Sequence, residues 1–146
     1  MAQARFVKGE AFFDQGKYDE ALAAFRAAVE KDPEMSEAWY MIGAAEVAKN
    51  SAVPCEAAHD PLKRCLELDP KSAHAHCSLG EVLMNVRKDY PRAREHFEEA
   101  IRLGAFDVTP EARKCLDTLS LKERTLENTK RRASEASARA EASARA

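Results

Sequence analysis

The chain has no long apolar run. No segment approaches the roughly 18 consecutive apolar residues that a membrane-spanning helix requires, and Met1–Lys8 carries no apolar stretch of the length found in a secretory leader. Neither sign of charge is in excess. The 23 Lys and Arg face 25 Asp and Glu for a formal charge of −2, too balanced for nucleic acid or an anionic membrane to be the main partner. The four cysteines (Cys55, Cys65, Cys77, Cys115) are irregularly spaced and form no CxxC pair. Without an export leader such residues read as reduced thiols, not as a disulfide framework. A soluble, intracellular protein, most simply cytoplasmic, is expected. Catalytic signatures are missing too: there is no Gly-rich phosphate loop, no HExxH and no Ser/His/Asp order. The sequence therefore predicts no enzyme activity and no cofactor.

Repetition is what the chain has instead. At 146 residues, 45% hydrophobic and 33% charged, it suits one soluble domain with a core. Gly9, Gly43 and Gly80 recur at intervals of 34 and 37 residues. About twelve residues after each comes Ala21, Ala58 or Ala93, and four residues later Phe25, Leu62 or Phe97. Three residues on stands a small side chain (Ala28, Cys65, Ala100), and the first two copies close with Asp32-Pro33 and Asp69-Pro70. Self-similarity at this period marks a helical repeat array, in which one unit cannot bury its apolar face alone and stacks on its neighbours.

Each copy reads as two helices. In the first, Phe6, Gly9, Phe12 and Phe13 fall on helical spacing, and Gln15-Gly16-Lys17 breaks the pattern. Tyr18–Lys31 then sets Ala21, Leu22, Phe25, Ala28 and Val29 on one face. Small residues at Gly9, Ala21 and Ala28 would let the two helices approach closely, with Phe25 filling the gap. The second copy starts near Ser36, and its longer connection, Asn50–Pro54, accounts for the 37-residue interval. Pro61 falls inside the next helical pattern. Asp60 could cap a short helix there, but an early kink is favoured because Ala58 keeps its register. The third copy has Ser72 as an N-cap, Asp89-Tyr90-Pro91 opening its second helix and Gly104 closing it. Thr109-Pro110-Glu111 reads as N-cap, proline and acidic first turn of a capping helix, with Ala112, Cys115, Leu116, Leu119 and Leu126 as its apolar stripe.

The composition then shifts. From Glu111 on there are nine basic and six acidic residues, leaving a mildly acidic body. Residues 135–140 and 141–146 are the same hexad, Glu-Ala-Ser-Ala-Arg-Ala. Glu135–Arg139 and Glu141–Arg145 are i,i+4 pairs, each worth about 0.2–0.5 kcal/mol. A solvated, fraying extension of the capping helix is expected.

These residues resemble the tetratricopeptide repeat (TPR) family, whose unit follows W-x₂-L-G-x₂-Y, then A-x₃-F, then P. The second copy supplies Trp39, Ile42, Gly43, Ala58, Leu62 and Pro70. The first supplies Gly9, Phe12, Gly16, Tyr18, Ala21, Phe25, Ala28 and Pro33, with Arg5 in place of the leading Trp. The third supplies Leu79, Gly80, Leu83, Tyr90, Ala93, Phe97 and Ala100, with His76 in the Trp place and no closing Pro. The resemblance implies an all-α, right-handed α-solenoid of three helix-turn-helix TPR units with a long C-terminal capping helix. The repeats would span residues 2–105 (about 2–35, 36–71 and 72–105), the cap 107–130 and the repetitive tail 131–146.

The resemblance also implies interaction without catalysis, as an adaptor, scaffold or co-chaperone-like module. TPR domains bind ligands in a concave groove lined by the first helix of each repeat. Carried over by register, the groove here comprises Phe6, Glu10, Phe13, Tyr40, Met41, Ala44, Val47, His74, Cys77, Ser78, Glu81 and Met84, with Glu37 beside it. Such a list suits a peptide or helix of another protein with hydrophobic anchors and a basic flank. Chaperone-binding members hold a terminal carboxylate with Lys, Arg and Asn. The matching positions here are Phe6, Glu10, Met41, His74 and Ser78, so that ligand is disfavoured. The alternative is a structural subunit docked through its convex face or its C-terminal helix.

Two smaller signals carry less. His74, Cys77 and Glu81 share one helical face at i, i+3 and i+7, but no second cluster in the sequence supplies a fourth ligand, so no metal is expected. Arg131-Arg132-Ala133-Ser134 has the form of a basophilic kinase site, a four-residue pattern common by chance.

Overall fold

The computed structural model describes residues 1–50 and 55–145. Seven α-helices are found among them: α1 (Ala2–Asp14), α2 (Tyr18–Lys31), α3 (Ser36–Lys49), α4 (His59–Leu68), α5 (Ala73–Val82), α6 (Tyr90–Leu103) and α7 (Thr109–Arg145). Each helix packs on the next in chain order, and α7 lies on α6 with further contact to α5. The array is thus serial, its contacts made between neighbours.

The repeated glycines set the spacing within each pair. A Cβ built on Gly9 would sit 2.6 Å from the Phe25 ring, on Gly43 2.7 Å from Leu62 Cγ, and on Gly80 2.7 Å from the Phe97 ring. No real Cβ tolerates such distances. In every copy the first helix is glycine where the second places its largest core side chain. Phe25, Leu62 and Phe97 are fully buried, as are the neighbouring Ala21, Ala58 and Ala93. The buried side chains fall into two clusters, one around Phe6, Phe25 and Ile42 and one running from Ala58 to Leu119. Trp39 is half-buried between them and touches both.

Trp39 also ties its helix to the preceding turn, its indole Nε1–H donating to the Pro33 carbonyl at 2.8 Å. In the third copy His76 occupies the Trp place and makes the same bond, Nε2 to the Pro70 carbonyl at 2.8 Å. A carbonyl only accepts, so His76 carries its proton on Nε2 and leaves Nδ1 as an acceptor. His96 of α6 meets it there, Nδ1 to Nδ1 at 3.0 Å, and must donate. Burial first, then the neighbouring His76, hold the His96 pKa below the usual histidine value. Glu95 opposes them, and His59 adds a smaller depression.

The turns differ between copies. Gly16, at φ +74°, reverses the chain between α1 and α2. Between α5 and α6 the helix widens into a π turn over Leu83–Arg87, and Lys88 takes the left-handed conformation at φ 57°. The reading at Pro61 needs correction. Asp60 does not cap the helix but lies within it: a 3-10 turn at Glu56–Ala58 runs into α4 at His59. Pro61 thereby falls in the first α turn, where no intrahelical N–H is required. The connection assigned to Asn50–Pro54 lies outside the described residues beyond Asn50, which caps α3. Ser72 caps α5 by accepting from the Ala75 N–H at 3.3 Å, and Gly104 ends α6 at φ +70°.

The capping helix departs from expectation at its start and along its stripe. Thr109 is already helical, and its hydroxyl donates back to the Ala105 carbonyl at 2.8 Å instead of capping forward. Ala112, Cys115 and Leu119 are buried, but Leu126 is 44% exposed; the Glu123 carboxylate pairs with Arg94 of α6. Beyond Glu123 α7 continues, exposed, to Arg145. Glu135 pairs with Arg131 at 3.9 Å, not with Arg139. Cross-helix ion pairs staple other joints: Arg26 to the buried Glu46 at 2.7 Å between α2 and α3, and Arg87 to Glu56.

Two predictions follow from this packing. Gly43→Ala drives a methyl into Leu62 and lowers stability by roughly 1–3 kcal/mol. Leu62→Ala alone costs about 2–5 kcal/mol. The double variant costs less than the two together, which urea unfolding of all four proteins measures. The second concerns pH. The unfolded chain takes up a proton at the ordinary histidine pKa of about 6.5, whereas folded His96 resists it until its lower pKa is reached. Stability is therefore full above about pH 6.5 and falls as the pH drops through the depressed value. His96→Gln flattens that limb in unfolding curves taken between about pH 7.5 and 5.

Candidate functional site

The first helices of the three pairs, α1, α3 and α5, stand side by side and leave a pocket of about 770 Å³. Phe6 and Glu10 of α1 form one wall; Ser36, Glu37, Tyr40 and Met41 of α3 form the floor. Cys65 and the turn residues Asp69, Lys71 and Ser72 follow, then Ala73 and His74 of α5, with Leu103 and Ala105 at the far edge. The helical period explains the set. On α3, positions 36, 37, 40 and 41 recur at i, i+1, i+4 and i+5, the face opposite Ala38, Ile42 and Ala45, which are buried.

Charge in the pocket is mainly negative. Glu10, Glu37 and Asp69 are exposed carboxylates, facing a single lysine, Lys71. His74 Nε2 donates to Asp107 Oδ2 at 2.6 Å, which holds the Asp107 pKa below the usual carboxylate range. The same imidazole sits edge-on to the Tyr40 ring, centroids 6.0 Å apart. Tyr40 is half-buried, and burial pushes its phenol pKa up, a hydrogen bond with Ser78 opposing the shift. The phenol is a fixed neutral donor in the floor.

Five of the twelve residues assigned to the groove by register line this pocket: Phe6, Glu10, Tyr40, Met41 and His74. Phe6 is only 6% exposed, because its ring packs on Phe25 at 5.7 Å, so its edge alone is available. The other seven lie elsewhere. Phe13 rests edge-on against Tyr18 at 5.4 Å, and Ala44 and Val47 continue α3 away from the pocket. Met84 is core, one turn beyond the buried Gly80 on the same face. Cys77 and Glu81 meet Cys115 of α7, with Ser78 between them and Tyr40. Burial, then the field of Glu111, raise the Glu81 pKa, and the contact with Cys115 raises that of Cys77. Lys71 and Ala105 escaped the sequence reading because they sit in turns, and Leu103 because it ends a second helix, α6, all outside any first-helix register. Phe106, 96% exposed, stands in the same turn as Ala105.

A family model described as tetratricopeptide repeat matches residues 3–53 and 55–108. The chain belongs to the tetratricopeptide repeat family. It is 30% identical over 102 residues to Hsp70-Hsp90 organizing protein 3 of Arabidopsis thaliana, covering 70% of this chain and 18% of that protein. This TPR chain thus spans less than a fifth of that relative's length. The first TPR of Spaghetti (RPAP3), bound to the HSP90 peptide SRMEEVD, superposes with a TM-score of 0.69 at 23% identity, covering 82% of this chain and 93% of that one. The type III secretion chaperone SycD of Yersinia enterocolitica, in complex with a peptide of the translocator YopD, gives 0.72 at 18%, covering 83% and 93%. These likenesses show the fold, a right-handed α-solenoid of three helix-turn-helix TPR units with a long C-terminal helix. Among the described residues no helix is long and apolar enough to cross a membrane.

Proposed function

We propose that this TPR domain is a non-enzymatic interaction module, an adaptor or scaffold, that holds a peptide segment of another protein in the pocket between α1, α3 and α5. The observation that carries the reading is the pocket itself, with Tyr40, Met41 and the Phe6 edge as apolar floor and Glu10, Glu37 and Asp69 as acidic margin. Its preferred occupant is a segment with one or two apolar anchors and a basic flank. Two of the structurally similar domains carry peptides, which supports the mode but not the ligand. An acidic peptide ending in a free carboxylate would meet Glu10 where a cation is needed, and Lys71 is the one lysine of the lining.

The test uses SRMEEVD and the same heptapeptide with lysine replacing its three acids, each labelled and titrated by fluorescence anisotropy. The lysine peptide binds wild-type protein at least tenfold tighter, about 1.4 kcal/mol, and loses that advantage in high salt as screening shortens the reach of the exposed carboxylates. Glu10→Lys/Glu37→Lys inverts the preference, and Tyr40→Ala weakens both peptides. Tighter binding of SRMEEVD by the wild type, or indifference to all three substitutions, removes the groove assignment.

A further inference from the structure

The inner end of α5 faces α7 across a group of side chains that the pocket does not use. Cys77 and Glu81 lie one turn apart on α5, and Glu111 and Cys115 lie one turn apart on α7. The two elements thus offer paired donors to each other. Cys77 Sγ is 3.9 Å and Cys115 Sγ 3.8 Å from the same oxygen, Oε1 of Glu81, and all three atoms lie within 4.8 Å of one another. Cys77 is 6% and Cys115 8% exposed. Among the described residues Glu81 makes no ion pair with a lysine, arginine or histidine, and its near partners are two thiols, which are weak donors. A mostly enclosed carboxylate between two sulfurs, with Glu111 adding further negative field, is an arrangement that a cation would complete.

We propose that Cys77, Glu81 and Cys115 bind a zinc-class divalent cation that clamps α7 to α5. The distances fit such an ion. With metal–sulfur bonds of about 2.3 Å and metal–oxygen bonds of about 2.1 Å in tetrahedral geometry, sulfur and oxygen stand about 3.6 Å apart, within a few tenths of an ångström of those found. Two sulfurs select zinc, cadmium or cobalt over magnesium and calcium, which favour all-oxygen shells. Binding releases the two thiol protons to solvent, so the site of two thiolates and one carboxylate around a dication carries a net charge of −1. Its fourth position is open to water. The sequence hid this site because the two i,i+4 pairs are separated by the whole of α6, and because His74, which shares a face with Cys77, is turned to Asp107 instead.

The test uses the full chain, stripped of metal and kept reduced with a phosphine, titrated with cobalt(II) chloride alone. One equivalent should produce the intense visible bands of tetrahedral cobalt with thiolate-to-metal charge transfer in the near ultraviolet, and zinc should displace it. Cys77→Ser, Cys115→Ser and Glu81→Gln each weaken binding at least tenfold, while Cys55→Ser changes nothing; circular dichroism verifies the fold of each. X-ray absorption at the zinc edge of wild-type protein, which needs no variant to fold, shows two sulfur ligands. Absence of tetrahedral cobalt bands, bands that survive in Cys77→Ser/Cys115→Ser, or a zinc shell without two sulfurs overturns the proposal.

Discussion

Everything in this solenoid depends on three contacts between a missing side chain and a large one. Gly9 against Phe25, Gly43 against Leu62 and Gly80 against Phe97 bring the two helices of each pair to a separation that any Cβ would prevent. The close approach leaves Phe25, Leu62 and Phe97 without solvent contact. Interiors of this density gain their dispersion energy from contact at every side and lose it steeply with small gaps. The same contact fixes the rotation of each first helix. With that rotation Ala38, Ile42 and Ala45 turn into the core, and positions 36, 37, 40 and 41 face away from them into the pocket. The pocket is therefore a by-product of the core: what the helix must bury on one side decides what it shows on the other.

That coupling explains what was legible in the sequence and what was not. Periodicity identified the helix pairs, because a 34-residue recurrence of glycine, alanine and a large apolar residue constrains packing wherever it occurs. Periodicity also grouped Tyr40, Met41 and His74, which line the pocket, since they follow from the register of α3 and α5. It failed where the backbone leaves the regular helix. Lys71 and Ala105 enter the pocket from turns, whose geometry no helical register describes, and Leu103 from the end of α6. Leu126 looked apolar enough to pack, yet it is 44% exposed.

His76 shows how a repeat tolerates a substitution at its most distinctive position. Tryptophan at 39 contributes area to both core clusters and one N–H to the Pro33 carbonyl. Histidine keeps the N–H, reaching the Pro70 carbonyl at the same 2.8 Å, and loses the area. What replaces the area is a polar contact, since the free Nδ1 lone pair recruits His96 from the following helix. The exchange makes the third copy's joint sensitive to protonation where the second copy's is not: a proton on His76 Nδ1 sets two N–H groups face to face.

Charge is a property of this domain that its shape does not fix. The helix pairs superpose on a domain that carries the acidic peptide SRMEEVD, but superposition concerns Cα traces and says nothing of what the traces carry. Here the positions facing the pocket present Glu10, Glu37 and Asp69. Exposed carboxylates contribute little to the stability of a fold, so nothing in the packing requires them. They do shape the approach of a charged ligand, because like-charge juxtaposition across an interface is costly and opposite charge steers encounter. The proposed partner therefore needs positive charge near its apolar anchors. That demand comes from three side chains that could be exchanged without disturbing a single glycine contact. Packing and pocket charge thus reside in separate sets of residues on the same helices, with the half-buried Tyr40, edge-on to His74, belonging to both core and lining.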